Sequence, residues 1–490
     1  MGSEDAARND GSIAMQHEAV IRDFHNGNLE LDCSSMVLEN TASGRPRVLR
    51  GQGYIRQDTD SGLIFRIYCD ETARTRDFPS GRPENRAGRV LPREEYYRLT
   101  ATDRNERLWK SDYVSPDVHY SQANRVMVSG QLGDGLVWTD DNAFGGGSIV
   151  DAALRITFWE QFEFPENKST EVYEKIDGDA RLTSFHWNAA LFSSGAIEFL
   201  LKNAERVLSL TAKARSGSFP PHVEKRIVEA MQFAFAKPMR PATCFTREGK
   251  SETLRLYSPV GRPTDTKCLP PLLFRHAEYL RDNGADTYRV FDSYLRYVSS
   301  WTESSWHPLS GKVWDVIESS ELDIDLQALG LAVAVEGVLN EAYSDLNPVP
   351  EHDADEIRAA VRLIKDSDLS RKSKDWICNR ISSPLAPSAL RKLRHLSQAG
   401  VVQPQHVEAW KELRNKWAHS DPRKDWLDED ELNLNTLQDV LDLISPVTVL
   451  FHHLVFNAIG YSGKYTDYSC RGFPTRHYPA SAPEEGEQTQ

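Results

Sequence analysis

The chain has 490 residues, of which 40% are hydrophobic and 10% aromatic, and it carries a formal net charge of −14 at pH 7. Its length predicts about three domains, and its apolar content excludes a wholly disordered chain. The net charge argues against a protein that coats nucleic acid non-specifically.

Neither the N-terminus nor any internal run has the composition of a membrane segment. Residues 1–16 lack the apolar core of a secretory signal. No run reaches the roughly 18 uncharged apolar residues that a membrane helix needs. The six cysteines are scattered without a CxxC pair, which favours reduced thiols. We therefore expect a cytoplasmic protein with no membrane partner.

After a flexible N-terminus at 1–16, residues 17–213 are predicted to form an antiparallel β-rich domain. Short β-favouring runs recur there and are separated by clusters of Gly, Asp, Asn and Pro, which is typical of a sandwich or barrel. The runs lie at 62–68, 97–101, 125–128, 154–159 and 183–192.

Residues 222–300 are predicted to form a mixed α/β connecting segment, which follows a Ser-, Gly- and Pro-rich boundary. Helical spacing of apolar residues predicts a first helix here, and a β-favouring run predicts one strand. The predicted elements are a helix at 223–236, a strand at 253–257, and helices at 272–283 and 287–299.

Residues 313–470 are predicted to form an all-α bundle, followed by a flexible acidic tail at 471–490. Five helices with connections of moderate length are typical of a compact bundle, and Pro446 predicts a kink or a break in the last of them. The helices are expected at 322–342, 355–365, 387–398, 403–418 and 431–461. The fold class is therefore α+β and multidomain.

The charge is unevenly distributed, because residues 356–424 hold 15 Lys/Arg and 7 Asp/Glu. This stretch, which we call the basic segment, has a net charge of +8 inside an acidic chain. It is compatible with a local site for a polyanion, although charge alone favours an ordinary solvated helical surface.

An amphipathic helix around residue 414 ends in an Arg–His pair. Trp410, Leu413 and Trp417 recur at helical spacing and predict a buried stripe with Arg414 at its border. A proline three residues after His419 places this histidine at or just beyond the helix end, where the dipole favours imidazolium. Four Arg–His pairs in the chain have comparable spacing, and only this one ends an amphipathic helix within the basic segment.

Arginine and histidine side chains at one phosphate suit RNA cleavage. Arginine offers a planar fork for phosphate oxygens, and histidine can transfer a proton near neutral pH. RNA supplies its own nucleophile in the 2′-hydroxyl, so no metal is needed, and no Cys/His cluster has zinc spacing. The residues also permit a second interpretation, in which the arginine packs on tryptophan and the histidine caps the helix.

The segment 413–419, Leu-Arg-Asn-Lys-Trp-Ala-His, resembles the RN-x(3)-H signature of HEPN domains, many of which are metal-independent ribonucleases. The helix containing Ala-Val-Glu-Gly-Val-Leu at 334–339 resembles an early core helix of the ApeA-like HEPN branch. The order of a β-rich domain, a short mixed segment and a helical bundle also resembles ApeA-type anti-phage proteins.

The resemblance implies roles for four residues. Arg414 and His419 would be catalytic, and Asn415 and Glu336 would support them, with neither metal nor cofactor. It also implies a homodimer or higher homo-oligomer whose paired motifs line one cleft, and cleavage of RNA to 2′,3′-cyclic phosphate ends. The β-rich domain would have a sensing or regulatory role, and the whole would act in anti-phage defence, with a phage-derived trigger as a candidate activator.

Two further interpretations remain open. The HEPN-like bundle could be a non-catalytic binding or dimerisation module whose β-rich domain recognises a ligand or partner. Alternatively, the β-rich domain could define the function by binding a ligand or glycan on aromatic residues, for which Trp138, Trp159 and Trp187 are the candidates.

Overall fold

A computed structural model of the protein describes sixteen stretches of the chain. They comprise residues 17–40, 47–58, 62–69, 93–120, 126–141, 152–159, 161–176, 179–204, 207–215, 217–258, 272–273, 277–346, 351–382, 385, 388–418 and 434–479. The chain divides into two compact units, one formed by 1–220 with 239–264 and the other by 221–238 with 265–490.

The first unit contains a closed barrel of six antiparallel strands. The strands follow the order β4-β1-β2-β3-β6-β5, and a further pairing between β5 and β4 closes the ring. They are β1 (Glu30–Asn40), β2 (Val48–Asp58), β3 (Gly62–Cys69), β4 (Tyr97–Asp103), β5 (Leu108–Tyr120) and β6 (Val126–Gln131).

Strands β1 and β2 of the barrel have local irregularities. The register of β1 against β2 shifts between Cys33 and Met36, as at a β-bulge. Opposite this shift, a side chain at Gly53 would collide with the backbone carbonyl of Arg66, and one at Gly51 with that of Tyr68. Glycine is therefore required where the strands approach most closely.

The sheet continues beyond the barrel as an open antiparallel sheet. From β5 it runs in the order β7-β14-β13-β8-β12-β11-β10-β9. These strands are β7 (Leu136–Asp140), β8 (Ala152–Phe158), β9 (Lys168–Ile176), β10 (Asp179–Ser194), β11 (Ile197–Ala204), β12 (Val207–Ala214), β13 (Pro241–Glu248) and β14 (Ser251–Leu256).

Helix α1 (Glu18–His25) completes the core of this unit with Val20, Ile21 and Phe24. The expectation of an antiparallel β-rich N-terminal region is confirmed. The hairpin β13–β14 comes from the predicted connecting segment and joins this sheet.

The second unit is mainly helical. Nine helices and one small hairpin are found in its described residues. They are α2 (Val223–Phe235), α3 (Ala277–Val298), α4 (Pro308–Ser319), α5 (Ile324–Glu341), α6 (Glu351–Lys365), α7 (Arg371–Ser382), α8 (Ala389–Gln398), α9 (Pro404–Ala418), α10 (Leu434–Ala458), β15 (Gly463–Thr466) and β16 (Thr475–Tyr478).

Helix α5 is central to the second unit and packs against α4, α9 and α10. It begins where the side chain of Asp323 accepts a hydrogen bond from the backbone N–H of Leu326, at 2.9 Å. At its other end the buried Nζ of Lys392 donates to the carbonyls of Leu339 and Tyr343, at 3.1 and 2.8 Å. Both ends of the helix are therefore fixed by caps.

Helix α10 is continuous through Pro446, so the helix does not break there. Its stretch Gln438–Ala458 is long and apolar enough to cross a membrane, but 67% of its most apolar window is buried in the protein. Buried neighbours such as Val447 and Leu450 offset the hydrogen bond that proline cannot make. This burial is typical of the core helix of a globular unit.

Helix α3 differs from expectation, because it is one helix where two were predicted. It runs through Gly284 from Ala277 to Val298. A single glycine costs only about 1 kcal/mol in a helix, and the buried residues Phe291, Tyr294 and Val298 offset that cost.

Candidate functional site

Helix α9 presents one buried face to the core of the helical unit. His406, Val407, Trp410 and Leu413 recur at helical spacing, and each is 2% exposed or less. Burying an apolar side chain of this size contributes roughly 1.5–3 kcal/mol. The rotation of α9 about its own axis is therefore fixed, and so is the direction in which its other residues project.

Two contacts join α9 to α5 one helical turn apart. The indole Nε1 of Trp410 donates to the carbonyl oxygen of Ala332 at 3.1 Å. Four residues further along both helices, the Nε of Arg414 donates to Oε1 of Glu336. The equal spacing means that the two helices run in the same direction at this contact.

Arg414 lies at the border of the buried face with its side chain 48% exposed. Its guanidinium carbon is 5.9 Å from the centre of the Trp410 ring, which is within range of a cation–π contact. Glu336 is 33% exposed. A pair this exposed contributes at most about 1 kcal/mol, so its main effect is to orient the guanidinium.

The terminal nitrogens of Arg414 make no hydrogen bond to another described residue. Asn415 is exposed and lies about 100° around the helix from Arg414. His419 follows Ala418, the last residue of α9, and lies outside the described residues. The structure therefore brings Glu336 and Arg414 together and has Asn415 on the adjoining surface.

Both lysines of α9 are paired with glutamates of the same helix. Lys411 binds Glu408 at 2.9 Å, and Lys416 binds Glu412 at 3.3 Å. The hydrogen bond from Lys411 lowers the pKa of the Glu408 carboxyl. The positive excess of the basic segment is therefore located mainly before α9, where residues 356–400 hold ten Lys/Arg and four Asp/Glu.

A cluster of histidines that the sequence did not mark as a site lies on the buried faces of α9 and α10. His406, His452 and His453 are each 4% exposed or less. Burial lowers the pKa of His452 and of His453 to about 3, and burial also lowers the pKa of His406. In the sequence, the adjacent pair His452 and His453 in a largely apolar helix is the feature that could have indicated this cluster.

The hydrogen bonds around His406 fix its role. Its Nε2 is 3.1 Å from the hydroxyl of Ser469, and that hydroxyl donates to the carboxylate of Asp467. The carboxylate also binds the Nε of Arg476 at 2.8 Å. Because the hydroxyl proton of Ser469 goes to Asp467, the histidine donates to the serine, the reverse of nucleophile activation. These residues anchor the β15–β16 hairpin to the helices.

Of the candidate aromatic residues of the β-rich unit, Trp138 is buried and Trp159 is partly buried. Trp138 is 7% exposed. Trp159 packs its ring 5.1 Å from that of Phe24 in α1. The side chain of Trp187 lies outside the described residues.

Comparison with known proteins gives no assignment. No protein-family model, no curated protein and no solved structure matches the chain. Within the described residues, no group of three or more His, Cys, Asp or Glu side chains is arranged to hold a metal ion.

Proposed function

We propose that the helical unit is a HEPN-like domain and that the protein is a metal-independent endoribonuclease of anti-phage defence. The observation that carries the proposal is the half-exposed guanidinium of Arg414, held between Trp410 and Glu336 on the helix that leads to His419. The Arg-Asn-x(3)-His sequence at 414–419 supports the same function.

The reaction needs only groups that the chain and RNA supply. The 2′-oxygen of a ribose attacks the adjacent phosphorus and loses its proton to a base, while the bond to the 5′-oxygen breaks and that oxygen gains a proton. His419 serves as the acid or base, and Arg414 stabilises the charge that builds on the phosphate oxygens. The products are a 2′,3′-cyclic phosphate and a 5′-hydroxyl.

Glu336 acts as a positioning residue in this mechanism. Its carboxylate holds the Nε edge of Arg414 and leaves the terminal N–H groups for phosphate. A homodimer or higher oligomer brings two copies of the motif to one cleft, and the β-rich unit regulates access or activity in response to a phage-derived trigger.

The deciding experiment incubates the purified protein with total RNA in EDTA. We expect cleavage, cyclic phosphate ends, and loss of cleavage in Arg414→Ala and His419→Ala. Arg391→Ala, which removes an exposed arginine from α8, is the matched control and should cleave normally. Full activity in Arg414→Ala, or strict dependence on added Mg²⁺, would refute the assignment.

The pairing of the α9 cations Lys411, Arg414 and Lys416 with nearby carboxylates favours a second candidate function, a non-catalytic HEPN-like binding or dimerisation module. In that case Arg414 is only a surface partner of Glu336. Purified protein would then leave RNA intact under every condition tested, and Trp410→Ala would impair function more than His419→Ala.

A further inference from the structure

Helices α6 and α7 form a hairpin that exposes apolar side chains. Leu363 is 74% exposed, Trp376 64% and Leu369 47%. The two helices pack chiefly on each other, and Ala354 and Cys378 are the buried side chains among those described in them. The large side chain of Trp376 is therefore available to a ligand.

The exposed face of α7 has an aromatic residue between two cations. Lys372, Trp376 and Arg380 are spaced four residues apart, so they lie along one side of the helix over about 12 Å. All three are exposed. The guanidinium carbon of Arg380 is 6.0 Å from the centre of the Trp376 ring.

The stripe lies in a locally positive stretch of an acidic protein. Residues 362–380 contain six Lys/Arg and three Asp, a net charge of +3, whereas residues 351–361 at the start of α6 hold four Asp/Glu and one Arg. Lys372 makes no ion pair with another described residue. Asp375 lies about 100° around the helix from Trp376 and so flanks the stripe without interrupting it.

We propose that the stripe Lys372–Trp376–Arg380 binds single-stranded RNA, with a base stacked on Trp376 and phosphates on the two cations. An exposed aromatic ring flanked by Lys and Arg is the arrangement that single-stranded nucleic acids favour. A duplex buries its base faces and cannot use the ring in this way. An apolar protein partner would leave the exposed ammonium group of Lys372 without a counter-charge.

The identity of the ligand as RNA rests on the proposed ribonuclease function. The inference deepens that function by naming single-stranded RNA as the substrate class and a recruitment surface distinct from Arg414. Binding and cleavage are therefore measured separately, so that either can fail alone.

The test measures binding of a fluorescently labelled 12-nucleotide RNA, single-stranded or in a duplex, by anisotropy in EDTA. The full chain with Arg414→Ala is used, so that the probe stays intact. We expect Trp376→Ala to weaken single-strand binding roughly tenfold or more, and Trp376→Phe to retain most of it because phenylalanine still stacks. Trp306→Ala, which removes a 39% exposed tryptophan from another part of the unit, is the matched control and should bind normally.

A second readout isolates the phosphate contacts. Lys372→Ala should reduce the salt dependence of binding by about 0.7 in the log–log slope, the value for one phosphate contact on a single strand. Circular dichroism of each variant confirms that the helices are intact.

Three outcomes would overturn the proposal. They are unchanged affinity in Trp376→Ala, equal affinity for single-stranded and duplex RNA, and a change of oligomeric state in Trp376→Ala without a change in RNA affinity. The last would assign the hairpin to a contact between copies of the chain. Binding that depends on Trp376, in a wild-type chain that cleaves no RNA, would refute the nuclease and keep this surface.

Discussion

Trp410 and Ala332 are joined by a buried hydrogen bond from the indole to a helix carbonyl, one turn before the contact between Arg414 and Glu336. The two contacts lie four residues apart on α9 and also four residues apart on α5. A shift of α9 along α5 would therefore break both contacts together. The buried bond therefore sets the position of a guanidinium that is itself half-exposed.

We predict that Trp410→Ala destabilises the helical unit by about 3–5 kcal/mol, because it removes a large side chain that is 2% exposed. Trp410→Phe should cost less, about 1–3 kcal/mol, since it fills most of the space and loses the N–H donor. Denaturant unfolding measures both. Trp306→Ala, at a tryptophan that is 39% exposed, is the control and should cost clearly less; an equal cost in Trp410→Ala would contradict the packing.

The variant Glu336→Gln should distinguish an effect on the orientation of the Arg414 guanidinium from an effect on the stability of the fold. The partly exposed ion pair contributes at most about 1 kcal/mol, so the melting temperature should change by no more than a few degrees. Under the proposed function, the kcat of RNA cleavage should fall roughly tenfold or more, because a neutral amide holds the guanidinium of Arg414 less firmly than a carboxylate does. Glu412→Gln, which breaks the exposed pair with Lys416, should leave kcat unchanged. Normal cleavage in Glu336→Gln would mean that Glu336 is only a surface partner.

Local patterns in the sequence predict much of the secondary structure but not the barrel. The β-favouring run at 62–68 and the apolar period at 403–418 match β3 and α9 closely. Closure of the barrel depends on a pairing between β4 and β5, which lie at the two ends of a row of six strands, and no local pattern encodes it. Helix α7 was missed because its Lys-, Arg- and Ser-rich sequence has no buried stripe: Cys378 is its one buried residue.

The candidate site also combines a feature that a local sequence pattern predicts with contacts that depend on tertiary packing. Spacing alone indicates that Arg414 borders a buried stripe. The contacts with Ala332 and Glu336 span 78 residues of sequence, so they depend on how α5 and α9 pack. The anchoring of the β15–β16 hairpin by His406, Ser469 and Asp467 is non-local in the same way.

The crossing of α4 and α5 predicts opposite effects for two glycines. A Cβ at Gly330 would lie 2.5 Å from the Cβ of Ser319, whereas one at Gly311 would meet nothing within 4 Å. Gly330→Ala should therefore destabilise the unit by about 1–3 kcal/mol through overpacking. Gly311→Ala should stabilise it by about 0.5–1 kcal/mol through helix propensity. Thermal unfolding of both variants measures the difference, and equal effects would show that the helices do not meet at Gly330.

The buried histidines predict a loss of stability in acid. The pKa of His452 and of His453 is about 3 in the folded protein and about 6.5 in an unfolded chain. Between these values the unfolded chain binds protons that the folded chain does not, so the free energy of unfolding falls as the pH drops below about 6.5. The slope is about 1.4 kcal/mol per pH unit for each histidine.

The contribution of one histidine can be isolated by comparing urea unfolding at pH 7.5 and pH 5.0. Titratable groups facing His453 include His406 on α9 and Asp467 after β15, and neither changes in the variants. In His453→Leu and His453→Gln the loss of stability between the two pH values should shrink by roughly 2 kcal/mol, whatever the effect on stability at pH 7.5. His352→Gln, which changes a histidine that is 80% exposed, should retain the full loss. An identical pH dependence in all three variants would mean that His453 is not buried in its neutral form.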